Sequence, residues 1–309
     1  MQIVFALVAL VVGFVLLVKG ADWFVEGSAG IANKFGIPQI VIGLTIVAMG
    51  TSMPEAAVSI SAALRGSAEI TIGNVVGSNI MNILVILGLT AVVCQIAVQK
   101  TTIHYEIPMV IGVTILLAVM GLQNNIISRA EGVILLACMV VYMLYLLRLA
   151  KRGVVENEEM DAYAKQVSFG RLILLVVVGV AAIIFGSHVA VEAASAIARI
   201  FGISERFIGL TIVAFGTSLP ELATSVGNSD IAVGNIVGSN LFNIMFVVGI
   251  TAVIVPVVYQ PTFRVDSIVA VAAAVLLLVC VYRGRVLKRR HGLLMLACYG
   301  GYFAYLLLA

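Results

Sequence analysis

The chain has 309 residues, of which 62% are hydrophobic and 11% charged, with 18 basic against 15 acidic side chains. Its mean hydropathy is +1.18. So little charge cannot cover a soluble protein of this length, which leaves an all-α polytopic membrane protein as the class.

Apolar stretches of spanning length fall at 2–19, 38–65, 70–98, 104–122, 130–149, 169–198, 205–226, 230–256, 264–282 and 291–308. Runs this long and without alternation are helices, because a helix satisfies its own backbone in lipid. The first stretch is a retained helix and not a signal peptide. It lacks a basic head, continues into Lys19 and Asp22, and recurs in the second half. With the N-terminus outside, thirteen Lys and Arg residues collect on the inner side and five on the outer. That asymmetry places both termini outside and the 150–168 linker and the 283–290 basic cluster inside. The basic clusters are topology signals and headgroup contacts, with no case for nucleic acid. Cys94, Cys138, Cys280 and Cys298 lie in apolar segments without metal-ligand spacing, and His104, His188 and His291 are scattered. No nucleophile or metal centre suggests an enzyme, no cofactor is implied, and no protein partner can be inferred.

The chain repeats itself. FVEGSAGIANKFGIPQIVIGLTIVAMG at 24–50 matches VAVEAASAIARIFGISERFIGLTIVAFG at 189–216, setting Glu26 against Glu192. GVILLACMVVYMLYLL at 132–147 matches GLLMLACYGGYFAYLL at 292–307. Residues 1–150 and 167–309 are therefore read as two five-helix units joined by a cytoplasmic linker at 151–166. Five is odd, so the second unit enters the membrane from the opposite face, giving ten transmembrane helices in two inverted repeats.

Each unit carries one polar motif inside hydrocarbon: GTSMPE at 50–55 with GNVVGSNIMN at 73–82, and GTSLPE at 216–221 with GNIVGSNLFN at 234–243. Glu55 and Glu221 are intramembrane carboxylates, which mark functional sites by their expense. Pro54 and Pro220 cannot donate to the carbonyls of Gly50 and Gly216, so both helices are expected to break at mid-membrane. The break frees carbonyls near Ala48, Gly50 and Thr51, and near Ala214 and Thr217, to face an ion. Thr51 and Ser52 share the face of Glu55, as Thr217 and Ser218 share that of Glu221. Asn74, Ser78 and Asn82 form a stripe, matched by Asn235, Ser239 and Asn243. Singly, such residues are ordinary packing and kinks in membrane helices. Jointly, at symmetric positions, they form a cage of oxygens without sulfur or imidazole, which suits Ca2+ and Na+.

The paired GTS-x-PE and GN-x-x-GSN-x-x-N segments resemble the alpha repeats of the cation/calcium exchanger superfamily, most closely the prokaryotic Na+/Ca2+ exchangers. The resemblance covers essentially the whole chain. It implies alternating access in the cell membrane, with Ca2+ extruded as several Na+ enter, which makes transport electrogenic. It further implies that Glu55 and Glu221, helped by Thr51 and Thr217, bind Ca2+. Na+ would use both carboxylates with the Ala48 and Ala214 carbonyls, Ser52, Ser218, Ser78 and Ser239, and with Asn82 and Asn243 at the middle. Asn74, Asn235, Pro54 and Pro220 would support these ligands.

K+-dependent relatives carry an acid where this chain has Asn243, so K+ independence is expected. Glu55 to Asn82 spans 27 residues, but Glu221 to Asn243 spans 22. The loss falls at 226–230, which is either a short loop or a stretch missing from the sequence. The alternative function is a proton/cation exchanger, since membrane carboxylates also carry protons. The proton-coupled branch typically shows GNxxE-type motifs with histidine, which these segments lack. A cation channel fits an inverted repeat poorly.

Overall fold

The computed structural model describes residues 2–35, 41, 43–64, 70–152, 167–200, 214–227 and 229–308. These are helical almost throughout. In chain order the helices are α1 (Gln2–Lys34), α2 (Ala48–Thr51), α3 (Met53–Leu64), α4 (Ile70–Met81), α5 (Gly88–Val93), α6 (Ile107–Asn124) and α7 (Arg129–Arg152). The C-terminal half continues with α8 (Phe169–Ile200), α9 (Ala214–Thr217), α10 (Leu219–Gly227), α11 (Ser229–Phe242), α12 (Gly249–Ile254), α13 (Phe263–Tyr282) and α14 (Arg289–Leu308). Four wider, π-helical segments, Gly43–Val47, Asn82–Leu87, Thr102–Glu106 and Asn243–Val248, run straight into the α-helices beside them.

Among the described residues, seven helical spans are long and apolar enough to cross a membrane: Thr71–Val93, Thr102–Asn124, Arg129–Leu149, Phe169–Gly186, Ala232–Ile254, Phe263–Tyr282 and Arg289–Leu308. The protein is a multi-pass membrane protein. Three of the ten expected segments do not qualify. The first offers a shorter apolar helix, Ile3–Gly13, within the residues whose side chains are described. The two motif-bearing segments are divided, at Ser52 and at Ser218. The 151–166 linker lies almost wholly outside the described residues. The short stretch at 226–230 leaves a single residue, 228, between α10 and α11.

Helices α1 and α8, of 33 and 32 residues, lie against each other along much of their length. Small residues permit the contact: a Cβ on Gly20 would stand 2.9 Å from the Gly179 carbonyl oxygen, and one on Gly179 would stand 2.8 Å from that of Gly20.

The remaining contacts follow a reciprocal pattern. A Cβ on Gly88 would sit 3.3 Å from the Gly292 carbonyl oxygen, and one on Gly249 3.2 Å from that of Gly132. Two short antiparallel strand pairs repeat the exchange. β1 (Ile96–Ala97) pairs with β4 (Val286–Leu287), and β2 (Ile126–Ile127) pairs with β3 (Val257–Val258). The turns behind these strands match as well. Asn125 and Arg285 have φ of 55° and 50°, and their carbonyls accept the N–H groups of Tyr259 at 2.9 Å and Val98 at 2.8 Å. A contact from residue i to j' answered by one from i' to j is the mark of a twofold relation between like units. The central helices Thr71–Val93 and Ala232–Ile254 are the most enclosed, with 83% of each window buried. They set the polar motifs at the middle of the molecule, behind apolar helices that face outward.

Candidate ion-binding site

Helix α2 stops at Ser52, whose φ and ψ of −87° and 8° leave the helical region, and α3 begins at Met53. The cause is local. Pro54 has no N–H for the Gly50 carbonyl, so the ladder is cut there. The Ala48 carbonyl, expected to lose its amide, keeps it: Ser52 N–H donates to it at 3.1 Å. It also lies 3.2 Å from Thr51 Oγ1 and accepts Ser239 Oγ at 3.3 Å. The C-terminal half repeats the break, with α9 ending at Thr217 and α10 opening at Leu219. The side chains of Pro54, Ala214 and Thr217 lie outside the described residues, so the part expected of Thr217 has no geometry here.

Every other candidate ligand side chain is buried. Glu55 and Glu221 are both 0% exposed, and Thr51, Ser52, Ser78, Asn82, Ser218, Ser239 and Asn243 are buried with them. The two motifs interlock across the seam between the halves. Ser52 Oγ donates to Glu221 Oε1 at 2.9 Å. Thr51 Oγ1 lies 3.3 Å from Asn235 Oδ1 and 3.4 Å from Ser239 Oγ.

Asn74 and Asn235 hold backbone and hydroxyls in place. Asn74 Nδ2 donates to the Glu55 carbonyl at 3.2 Å and to Ser59 Oγ at 3.0 Å. Asn235 Nδ2 donates to Thr224 Oγ1 at 2.7 Å, and Thr224 in turn reaches the Pro220 and Glu221 carbonyls at 3.0 and 3.1 Å.

The orientation of the central amides follows from four bonds. Asn79 Nδ2 donates to the Asn240 carbonyl at 3.1 Å, and Asn240 Nδ2 returns the bond to the Asn79 carbonyl at 3.2 Å. Each side chain therefore turns its Oδ1 the other way. Asn243 Nδ2 donates to Asn79 Oδ1 at 3.1 Å, and Asn82 Nδ2 to Asn240 Oδ1 at 3.0 Å. With their N–H groups engaged, Asn82 and Asn243 keep Oδ1 without a hydrogen-bond partner among the described residues. Ser78 Oγ, Ser218 Oγ and Glu221 Oε2 share that condition. Buried polar atoms are almost always satisfied, so unmatched hard oxygens buried in the same motifs as two carboxylates are the donor chemistry that suits cations. The donor set fits Na+ and Ca2+ as transported ions, since it holds no thiolate or imidazole.

Asn79, Asn240, Ser59 and Thr224 also take part, and the sequence motifs do not single them out. The asparagines stand inside the repeated GSN triplet, and that repetition is the available signal. They escape notice because each sits one position, about 100° around a helix, off the Asn–Ser–Asn stripe. Ser59 and Thr224 give no such signal, because the repeat sets Ser59 against Ser225 and Val58 against Thr224.

The family model for sodium/calcium exchanger proteins matches residues 5–148 and 171–308. The chain belongs to the sodium/calcium exchanger family. Among similar proteins, this exchanger is 39% identical over 310 residues to the "Putative antiporter CaxA" of Alkalimonas amylolytica, covering 96% of this chain and 97% of the relative. It is 30% identical to the "Sodium/calcium exchanger MaX1" of Methanosarcina acetivorans, covering 94% and 95% of the two chains. A solved structure of the sodium-calcium exchanger NCX_Mj, soaked with Na+ and Sr2+, superposes with a TM-score of 0.82 at 31% identity over 98% of both chains. An exchanger of this family is a transporter and not an enzyme.

Proposed function

We propose that this exchanger is a Na+/Ca2+ antiporter of the cytoplasmic membrane. In this reading residues 1–150 and 167–309 form two inverted five-helix units, ten membrane segments in all. The segment 151–166 and the 283–290 cluster are cytoplasmic, and both termini are outside. The observation that carries the reading is the pair Glu55 and Glu221, both fully buried, with Ser52 of one motif donating to Glu221 of the other and the Asn82 and Asn243 amides donating away from their own Oδ1 atoms.

Two buried carboxylates without cations would leave charge in a low dielectric, which costs several kcal/mol per ion. One Ca2+ cancels that charge, and so do Na+ ions. Occupancy by either lets the carrier change faces, and the empty carrier stays put, which couples the two fluxes. Ca2+ is bound by Glu55 and Glu221 with Thr51 and Thr217. Na+ is bound by the same carboxylates with the Ala48 and Ala214 carbonyls, Ser52, Ser218, Ser78, Ser239, Asn82 and Asn243. Na+ entry drives Ca2+ out, with more than two Na+ per Ca2+, so transport carries charge. K+ independence is supported by Asn243, whose amide donates to Asn79 at 3.1 Å, a bond no ionised carboxylate could make.

Proteoliposomes loaded with Na+ should take up Ca2+, and vesicles loaded with K+ or with an acidic interior should not. Uptake driven by the acidic interior without Na+ would move the chain to proton-coupled exchange.

A further inference from the structure

Beyond the central cluster, each half keeps another acid at the start of a spanning helix, Glu106 just before α6 and Asp266 in the first turn of α13. The repeat sets Glu106 against Asp266, Tyr142 against Tyr302, and Tyr145 against Tyr305. The halves use these tyrosines differently. In the N-terminal half the Tyr145 hydroxyl donates to Glu106 Oε1, and the Tyr142 hydroxyl donates to the Leu44 carbonyl at 3.3 Å. In the C-terminal half the Tyr302 hydroxyl donates to Asp266 Oδ1 at 2.8 Å, while Tyr305 is 42% exposed.

Leu44 lies in the π-helical segment Gly43–Val47, one turn before Ala48. Tyr142 therefore anchors the backbone that delivers the Ala48 carbonyl to Ser239. Its counterpart Tyr302 has committed its one hydroxyl proton to a carboxylate. The half that contains Tyr142 holds a carboxylate of its own. Glu106 is fully buried, and its Oε2 has no hydrogen-bond partner among the described residues. The Tyr142 ring stacks on that of Tyr145, the tyrosine already bound to Glu106, with centroids 6.4 Å apart.

We propose that Tyr142 is a positioning residue whose hydroxyl alternates between the Leu44 carbonyl and Glu106 Oε2 as the carrier changes face, with Tyr302 in opposite phase. This rests on the inverted-repeat reading: inverted halves exchange shapes when the site changes sides, so the partner Tyr302 holds in one state is the kind Tyr142 takes in the other. Of the pair Tyr142 and Tyr302, each state keeps one on main chain and the other on a carboxylate. The bond inventory is the same in both, which keeps the two states near balance, while an intermediate with either hydroxyl unbonded is disfavoured.

The test is the ratio of half-saturating Ca2+ on the two faces of reconstituted full-length protein, because apparent affinity on each face scales with the population open to it. Bonds to charged acceptors outweigh those to neutral ones. Tyr142→Phe and Tyr302→Phe should thus move the ratio in opposite directions, each roughly three- to tenfold. Glu106→Gln should move it in the Tyr142→Phe direction. The effects of Tyr142→Phe and Glu106→Gln should also be non-additive, although the two residues share no hydrogen bond in the state described. If Tyr142→Phe does not fold, Tyr302→Phe and Glu106→Gln still carry the test by their opposite signs. Shifts of one sign, no shift, or simple additivity would overturn the latch. Wild-type Ca2+ flux indifferent to Na+ would sink the exchanger reading instead, whereas Na+-coupled flux with an unmoved ratio sinks the latch alone.

Discussion

Asn79 and Asn240 each donate a side-chain amide hydrogen to the other's main-chain carbonyl, at 3.1 and 3.2 Å, across the seam between the two halves. Neither sits in the oxygen cluster itself. Together they hold the amide nitrogens of Asn82 and Asn243, which leaves the Oδ1 atoms without a hydrogen-bond partner among the described residues.

Asn79→Ala removes a donor to Asn240 and an acceptor for Asn243, leaving two buried groups unsatisfied. At about 1–3 kcal/mol for each such group, the variant should lose several degrees of thermal stability in detergent. Exchange should fall further than stability does, because Asn243 is then free to rotate its N–H groups inward. Thermal unfolding and Ca2+ flux on the same preparation separate the two effects.

Ser52 lies in the N-terminal motif but donates to Glu221 of the C-terminal one at 2.9 Å. Ser52→Ala should weaken apparent Na+ affinity by roughly tenfold, as expected for losing one hydrogen bond to a charged acceptor. Ser52→Thr keeps the hydroxyl and should retain much of the function. Na+ titration of Ca2+ uptake reads the difference.

Glu55→Gln and Glu221→Gln keep shape while removing charge from groups that are 0% exposed. Each should abolish Na+-coupled Ca2+ exchange, and each should leave the protein as thermostable as the wild type or more so, since a buried charge is relieved. Normal exchange in either variant would remove the carboxylate pair from the mechanism.

Gly238 sits where two backbones nearly touch. A Cβ there would stand 2.7 Å from Ala48 Cβ and 2.9 Å from the Leu44 carbonyl oxygen. Gly238→Ala must push the Leu44–Ala48 segment away and should cost about 1–3 kcal/mol together with most of the transport. Gly112, whose added Cβ would meet no described atom within 4 Å, is the control: Gly112→Ala should be neutral or stabilising.

Much of this site is legible in the chain, for one physical reason. Polar side chains inside hydrocarbon have nothing to do unless they meet one another, so Glu55, Ser78, Asn82 and their counterparts announce themselves. The break beside Pro54 is equally readable from a missing N–H. The fate of individual carbonyls is not, because Ala48 is held by a serine from the other half as well as by its own helix. The π-helical openings at Asn82 and Asn243 leave no mark in composition or period. Glu106 and Asp266 go unmarked in the sequence because their tyrosine partners lie more than 30 positions away.

The reciprocal asparagine bridge is a contact of the sort made by two identical subunits about a twofold axis. A single five-helix unit, inserted in both orientations and paired with itself, would rebuild that bridge without a fused chain. The bonds that do not answer one another, Tyr142 to Leu44 against Tyr302 to Asp266 and Asn74 to Ser59 against Asn235 to Thr224, are of another kind. Joining two copies in one polypeptide lets position 58 be valine while position 224 is threonine, a divergence closed to a homodimer. In the inverted-repeat arrangement proposed above, fusion thus lets the two halves diverge while the seam between them stays symmetric.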